Sequence, residues 1–298
     1  MTPLYKDKGI GVGLRPAHRP QFLNSPPRSV SWVEVISENY MPWEKEGWGR
    51  AFQSLSKIRH NYDVALHGVA MNLGSTEAID KNYLVRLKQL VDRVEPFIVS
   101  DHLSWTGVNG EVLHDLLPLP YTAETLSHLV NKIDEVQNYL GRQILIENPS
   151  TYLEFNSSTM SETDFLNELL IRSDCGLLLD INNVYVCSVN HNFDPKLYLQ
   201  EISPERVGQI HLAGHRNKGG YLIDTHDEPV GQAVWDLYEF SLSLMGTRST
   251  MIERDGHIPE WEQMEVELLK VGELQNEFKR SHRNSTTIAE SHSPSAEL

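Results

Sequence analysis

Cysteine is nearly absent from this chain: its 298 residues hold only Cys175 and Cys187, and these have no CxxC spacing. Two such residues exclude a disulfide framework, and both read as reduced thiols. Long hydrophobic runs are missing as well. The longest apolar stretches are strand-sized, so no membrane span is expected. The opening MTPLYKDKGIGVGLR carries no apolar stretch behind its positive charges, which argues against a secretory signal and makes the cytoplasm the expected compartment. Positive charge is scarce, with 26 Lys and Arg against 41 Asp and Glu for a net −15, so no nucleic-acid partner is expected. There is no GxSxG elbow, no P-loop and no GxGxxG after a strand; Gly11 and Gly13 in GIGVGLR fall inside the first strand segment.

What is present is ordinary in amount and unusual in placement. A hydrophobic content of 40% and a charged content of 22% suit one large globular domain. Eight short apolar or alternating segments recur at helix-sized intervals: Ile10–Arg15, Trp32–Ser37, Val64–Gly68, Phe97–His102, Gln143–Asn148, Gly176–Asp180, Val207–Leu212 and Thr250–Glu253. Strands alternating with helices imply βαβ units and a parallel sheet, and eight of them predict a single α/β domain, a closed (β/α)8 TIM barrel over residues 1–280. Between the third and fourth strands, Ile79, Tyr83, Leu87, Leu90, Val91 and Val94 repeat at helical spacing, with Ser75 or Thr76 as N-cap. Thr122 and Gly141 bracket a second helix, and Ser161 with Asp164 resembles a capping box for a third. Helices also fit Glu44–His60, Pro229–Met245 and Glu260–Phe278, and the longest loops are expected after strands four and seven. Residues 281–298 are polar and aperiodic and are expected to form a disordered tail.

Six of the eight strand segments end in a metal-ligand type: His67, His102, Glu147, Asp180, His211 and Glu253. A parallel barrel points all its strand C-termini at one mouth, so these residues would converge. A lone strand-end His is more often a structural hydrogen-bonding group, and a lone Asp or Glu often caps the next helix. Six in succession, four of them behind apolar pairs such as Leu145-Ile146 and Leu178-Leu179, instead mark ionisable groups at a core edge that require partners or a metal. Imidazole with carboxylate suits divalent iron, manganese or zinc, and no cysteine stands at these strand ends to make a thiolate site. Asp224 and His226, a D-x-H pair after strand seven, are weaker candidates, as is His215; Asn183 either completes a coordination shell or turns the chain. Glu38 reads best as a hydrogen-bond acceptor behind the ligands, and Asp101, on the opposite side of its strand from His102, as structural.

In order, GVGLR, WVEVISENY, LHGVAMNLG, SDHLSWTG, LIENPS, LLLDINNVYV, IHLAGH, DTHDEPV and MIERDG resemble the multinuclear non-haem iron-dependent oxidative enzymes, from about Gly11 to Glu262. The resemblance implies a xylose-isomerase-like barrel with two or three iron ions at the strand mouth. It implies dioxygen as co-substrate and a cysteine-containing, ribosomally made precursor peptide as the molecule oxidised. It also implies a small partner protein that binds the peptide's leader. His67, His102, Glu147, Asp180, His211 and Glu253 match the family's iron ligands, and Asn183, Asp224 and His226 match residues around a further iron.

Three rivals share these features. A xylose-isomerase-like sugar isomerase or epimerase and an endonuclease-four-like metal hydrolase also place His, Glu and Asp at barrel strand ends. A non-catalytic metal-binding subunit of a peptide-maturation complex would hold the metal and consume no dioxygen.

Overall fold

The computed structural model describes residues 4–43 and 47–290. Eight parallel strands close a barrel: β1 (Ile10–Gly13), β2 (Trp32–Ile36), β3 (Asp63–His67), β4 (Ile98–His102), β7 (Leu145–Glu147), β8 (Gly176–Asp180), β9 (Val207–Leu212) and β12 (Ser249–Ile252). They follow chain order around the ring, β1 closing on β12. The expected single (β/α)8 barrel is therefore present. Its strands are buried on both faces, which explains why β8 reads as an almost unbroken apolar run.

Four short strands form two antiparallel hairpins absent from the sequence reading. β5 (Trp105–Val108) pairs with β6 (Glu111–Leu117), and β10 (Arg216–Asn217) with β11 (Leu222–Ile223). They occupy the two loops, after the fourth and seventh barrel strands, that were expected to be longest.

The outer layer comprises α1 (Arg19–Asn24), α2 (Arg50–Ile58), α3 (Lys81–Val94), α4 (Ala123–Leu140), α5 (Glu162–Ser173), α6 (Ile181–His191), α7 (Pro195–Glu201), α8 (Gln232–Met245) and α9 (Trp261–Glu290). Local chemistry sets their ends. Thr122 Oγ1 accepts from the Thr125 amide at 3.1 Å, Gly141 stops α4 at φ 71°, and Ser161 Oγ accepts from the Asp164 amide at 3.1 Å. One expected cap is wrong: Asp80, not Ser75 or Thr76, caps α3, accepting from the Asn82 amide at 2.8 Å. Ser75 instead bonds the Glu77 amide in a separate turn. α2 is shorter than the expected Glu44–His60, and residues 44–46 lie outside the described residues. α9 continues through Glu290, so the first part of the expected tail extends this helix; 291–298 lie outside the described residues.

Inside the barrel, the layer nearest the strand N-termini is apolar. Trp32, Ala65, Ile98, Leu145, Leu178 and Met251 pack together there with Tyr5 and Phe97 against them. Gly11 is required on β1, because a Cβ there would come within 2.3 Å of the Trp32 indole.

Candidate metal centre

Inward-facing residues along a strand are two apart, so the strand period carries each apolar residue of the lower layer up to a polar one at the mouth. Ala65 leads to His67, Leu145 to Glu147, Leu178 to Asp180 and Met251 to Glu253. Lateral register then sets the polar residues side by side: His102 pairs with Glu147 and Asp180 with His211. The structure thus brings together all six predicted strand-end residues, every one of them buried.

Glu147 is central. Its Oε2 lies 3.1 Å from His67 Nε2 and 3.3 Å from His102 Nε2, while Oε1 lies 3.9 Å from His211 Nδ1. His67 Nδ1 bonds Ser100 Oγ at 2.8 Å, and His102 Nδ1 meets the Gly68 carbonyl at 3.1 Å. A carbonyl only accepts, so it fixes the His102 proton on Nδ1 and turns the Nε2 lone pair toward the centre.

The loop after β9 completes the set. His226 Nε2 is 2.6 Å from Asp224 Oδ1 and 4.0 Å from Asp180 Oδ2; its Nδ1 is 3.3 Å from Glu253 Oε2. His226 adopts φ 48°, a conformation disfavoured for a side chain bearing Cβ and found here where the loop drives the imidazole inward. Asp224 is held by Ser150 Oγ at 3.1 Å and by Asn182 Nδ2 at 2.7 Å. Asn183, whose amide is capped by Asp180 Oδ1 at 2.7 Å, places Nδ2 at 3.5 Å from Glu147 Oε1.

Asp224, His226 and Asn183 therefore join the cluster. His215 does not: its Nδ1 bonds Asn182 Oδ1 at 2.8 Å, behind Asp224. Glu38 lies outside the cluster too, its Oε1 accepting from the Val69 and Ala70 amides and from Tyr83 Oη. Asp101 braces the same loop through the Met71 amide at 3.2 Å, as expected of a structural residue.

Two participants escaped the sequence reading. Glu34 on β2 sends Oε1 to 3.1 Å from His211 Nε2 and takes the Gln209 amide on Oε2 at 2.5 Å. A carboxylate beside Nε2 calls for the proton there, which leaves His211 Nδ1 facing Glu253 at 3.1 Å. Arg15 bonds Glu253 Oε1 at 3.1 Å, Asp255 and the Arg254 carbonyl. The signal for both was the two-residue inward period: Trp32 to Glu34, and Gly11 through Gly13 to Arg15.

The charges demand cations. Burial alone would push the His67 imidazole down, but the adjacent Glu147 carboxylate holds it up at about 9. Burial also opposes protonation of His211 and His226, yet Glu34 and Glu253 raise the first and Asp224 the second well above the ordinary range. Burial drives the Asp180 carboxyl well up. Despite these close approaches, Glu147 Oε2, Asp180 Oδ2, Asn183 Oδ1, His211 Nδ1 and His226 Nε2 make no aligned hydrogen bond. Five orphaned donor atoms on converging ligand-type residues fit metal ions better than they fit one another.

Four buried groups have ligand atoms within 4.8 Å of one another: His67, His102 and Glu147; Glu147, Asp180 and His211; Glu34, His211 and Glu253; Asp180, His226 and Glu253. Glu147, Asp180, His211 and Glu253 each belong to two of them, the arrangement that adjacent ions sharing bridging carboxylates would use. A cavity of about 690 Å³ opens above, walled by Arg19, Tyr40 and the β5–β6 hairpin, with His67, His102, Glu147 and His226 at its floor. Among the described residues, no helix is long and apolar enough to cross a membrane.

Comparison with known proteins agrees with the architecture and adds a family. L-ribulose 3-epimerase superposes with a TM-score of 0.57 at 13% identity, covering 97% of this chain and 99% of that one. Endonuclease IV from Thermus thermophilus gives 0.56 at 12%, covering 92% and 99%. At such identities the likeness is one of fold, the xylose-isomerase-like barrel. In sequence, a UPF0276 protein of Anaeromyxobacter sp. (strain Fw109-5) is 50% identical over 251 residues, 84% of this chain and 87% of the relative. A UPF0276 protein of Caulobacter vibrioides is 49% identical over 260 residues, 87% and 91% respectively. Residues 9–276 match the profile of the RiPP precursor modification enzymes MbnB/TglH/ChrH, and the chain belongs to that family.

Proposed function

We propose that this protein is a multinuclear iron enzyme that uses dioxygen to oxidise a cysteine of a ribosomally made precursor peptide. The observation that carries the reading is the run of shared ligand groups centred on Glu147, Asp180, His211 and Glu253 beneath an open mouth. His67, His102 and Glu147 would hold one ion; Glu147, Asp180, His211 and Glu253 a second; Asp180, Asn183, Asp224 and His226 a third. Membership of a family of RiPP precursor modification enzymes supports a peptide substrate.

Iron bound there would supply dioxygen activation and a Lewis acid for the substrate thiolate. The chain's own residues do the rest. Ser100, the Gly68 carbonyl and Glu34 each engage one imidazole nitrogen and aim the other inward, and Arg15 offsets the paired acids Glu253 and Asp255. A small partner that presents the peptide's leader, and a cytoplasmic setting, belong to the same proposal.

Anaerobic purification with metal counting, followed by mass spectrometry of a co-expressed cysteine-containing precursor peptide, tests the reading. Iron at two or three per chain and an oxygen-dependent mass change on the peptide are expected. Zinc or manganese without oxygen uptake would favour the sugar-enzyme or hydrolase alternatives. Iron with no change to the peptide would favour the non-catalytic subunit.

A further inference from the structure

The cavity above the cluster carries one cation that the metal centre does not use. Arg15 is consumed by Glu253, Asp255 and the Arg254 carbonyl. Arg19, the first residue of α1, has no carboxylate within ion-pair distance among the described residues, in a chain of net charge −15. Its guanidinium sits over the Tyr40 ring, 5.4 Å from the centroid, with Nη2 donating to Tyr40 Oη at 3.1 Å, and its Nε is buried with no hydrogen-bond partner. Tyr40 is itself buried, so the guanidinium lies on a fixed platform. Both residues line the cavity that has His67, His102 and Glu147 at its floor.

We propose that Arg19, seated on Tyr40, is the substrate anchor of this mouth and binds a carboxylate carried by the molecule whose thiol reaches the metal centre. This rests on the reading of the centre as one that takes a thiol substrate. One guanidinium balances one carboxylate. A phosphate dianion would bring a second negative charge beside Glu147, Glu253 and Asp255, with no further unpaired Arg or Lys among the described residues of the cavity wall to meet it. The carboxylate is either a peptide C-terminus or an Asp or Glu side chain next to the reacting cysteine.

Calorimetry on the iron-loaded full chain, without oxygen, separates these sources using N-acetylcysteine, N-acetylcysteine amide, and the amidated dipeptides N-acetyl-Cys-Asp and N-acetyl-Cys-Asn. On the native protein at least one carboxylate probe should bind about tenfold more tightly than its uncharged partner, as a charge-assisted hydrogen bond in a partly desolvated site implies. Preference for N-acetylcysteine assigns the C-terminus; preference for the aspartyl probe assigns the side chain. Arg19→Gln should bring the ratio close to one with iron content and circular dichroism unchanged, and Arg19→Lys should keep part of it. Equal binding of both members of each pair to the native protein, no detectable binding of any probe, a ratio that survives Arg19→Gln, or displacement by inorganic phosphate as effective as by acetate each overturns the anchor. The probe ratio in the native protein decides the matter if a variant fails to fold. Oxygen consumption with precursor peptide is read separately, so loss of the oxidase reading and loss of the anchor are distinguishable.

Discussion

The two ends of the barrel interior are built from the same strands with the same inward period, and they are chemical opposites. Toward the strand N-termini, Trp32, Ala65, Ile98, Leu145, Leu178 and Met251 meet with no ionisable group among them. Two residues further along, His67, Glu147, Asp180 and Glu253 are also buried and are all ionisable. Burying apolar surface favours folding, whereas burying ionisable groups opposes it unless they are paired or metallated. The lower layer therefore carries stability and the upper layer carries chemistry, with one residue of separation along each strand. The loops add what the strands lack, namely Asp224, His226 and the hairpin wall.

Substitutions that exchange the characters of the two ends should separate stability from metal binding. The largest effect is expected from Glu147→Ala, which removes the carboxylate nearest both His67 and His102. Iron content should fall from two or three ions to one or none, and peptide oxidation should be lost, while far-ultraviolet circular dichroism stays that of a folded barrel. Retention of full iron content would contradict a bridging role. Next in size is Trp32→Ala, in the apolar layer. Emptying the volume of a fully buried indole should cost about 3–5 kcal/mol in denaturant unfolding. Iron per folded chain should be unchanged.

The contrast also explains what could be read from the sequence. Eight strands and the six clustered strand-end residues were legible because a buried parallel strand is a continuous apolar run, and a His or carboxylate at its end breaks the run visibly, as in LLLD and LIEN. Glu34 was not legible by that rule, since it sits in the middle of WVEVI, whereas Glu38 stands just past the end of that strand. The hairpins were missed because β6, exposed over most of its length, lacks a buried face and so shows no alternation. α6 was hidden for the converse reason. Its INNVYVCSV is rich in β-branched residues and buried on several sides, and only the Asp180 cap, itself a candidate ligand, marks its start. Asn182 could not be foreseen, because its role depends on Asp224 and His215 arriving from a distant loop.

Glu34 sharpens the comparison, standing two residues beyond Trp32 and meeting the cluster at His211 Nε2. Glu34→Gln keeps the shape and an acceptor near His211 Nε2 but removes the charge that holds the proton there. Iron affinity should fall about 10- to 100-fold, the range typical when a carboxylate behind a histidine ligand is altered. Metal titration monitored by absorbance would measure it. The thermal midpoint of the metal-free chain serves as the control for folding. An unchanged affinity would show that His211 is oriented by packing alone.

The smallest effect is expected from the protein's own thiols, and it tests whether reactive sulfur at the mouth comes only from the substrate. Cys175 precedes β8 at the apolar end, and Cys187 lies on α6 with the Thr151 amide donating to its sulfur at 3.2 Å. Burial pushes both thiols up to about 12. At pH 8 a group with that pKa is thiolate in about one molecule in ten thousand, and the thiolate is the nucleophile. The folded protein should therefore take up no iodoacetamide within an hour at pH 8 and two equivalents once denatured. Cys187→Ser should leave iron content and peptide oxidation unchanged. Rapid labelling of Cys187 in the folded protein would show that the α6 flank opens in solution, and a loss of oxidation in Cys187→Ser would bring a protein thiol into the reaction.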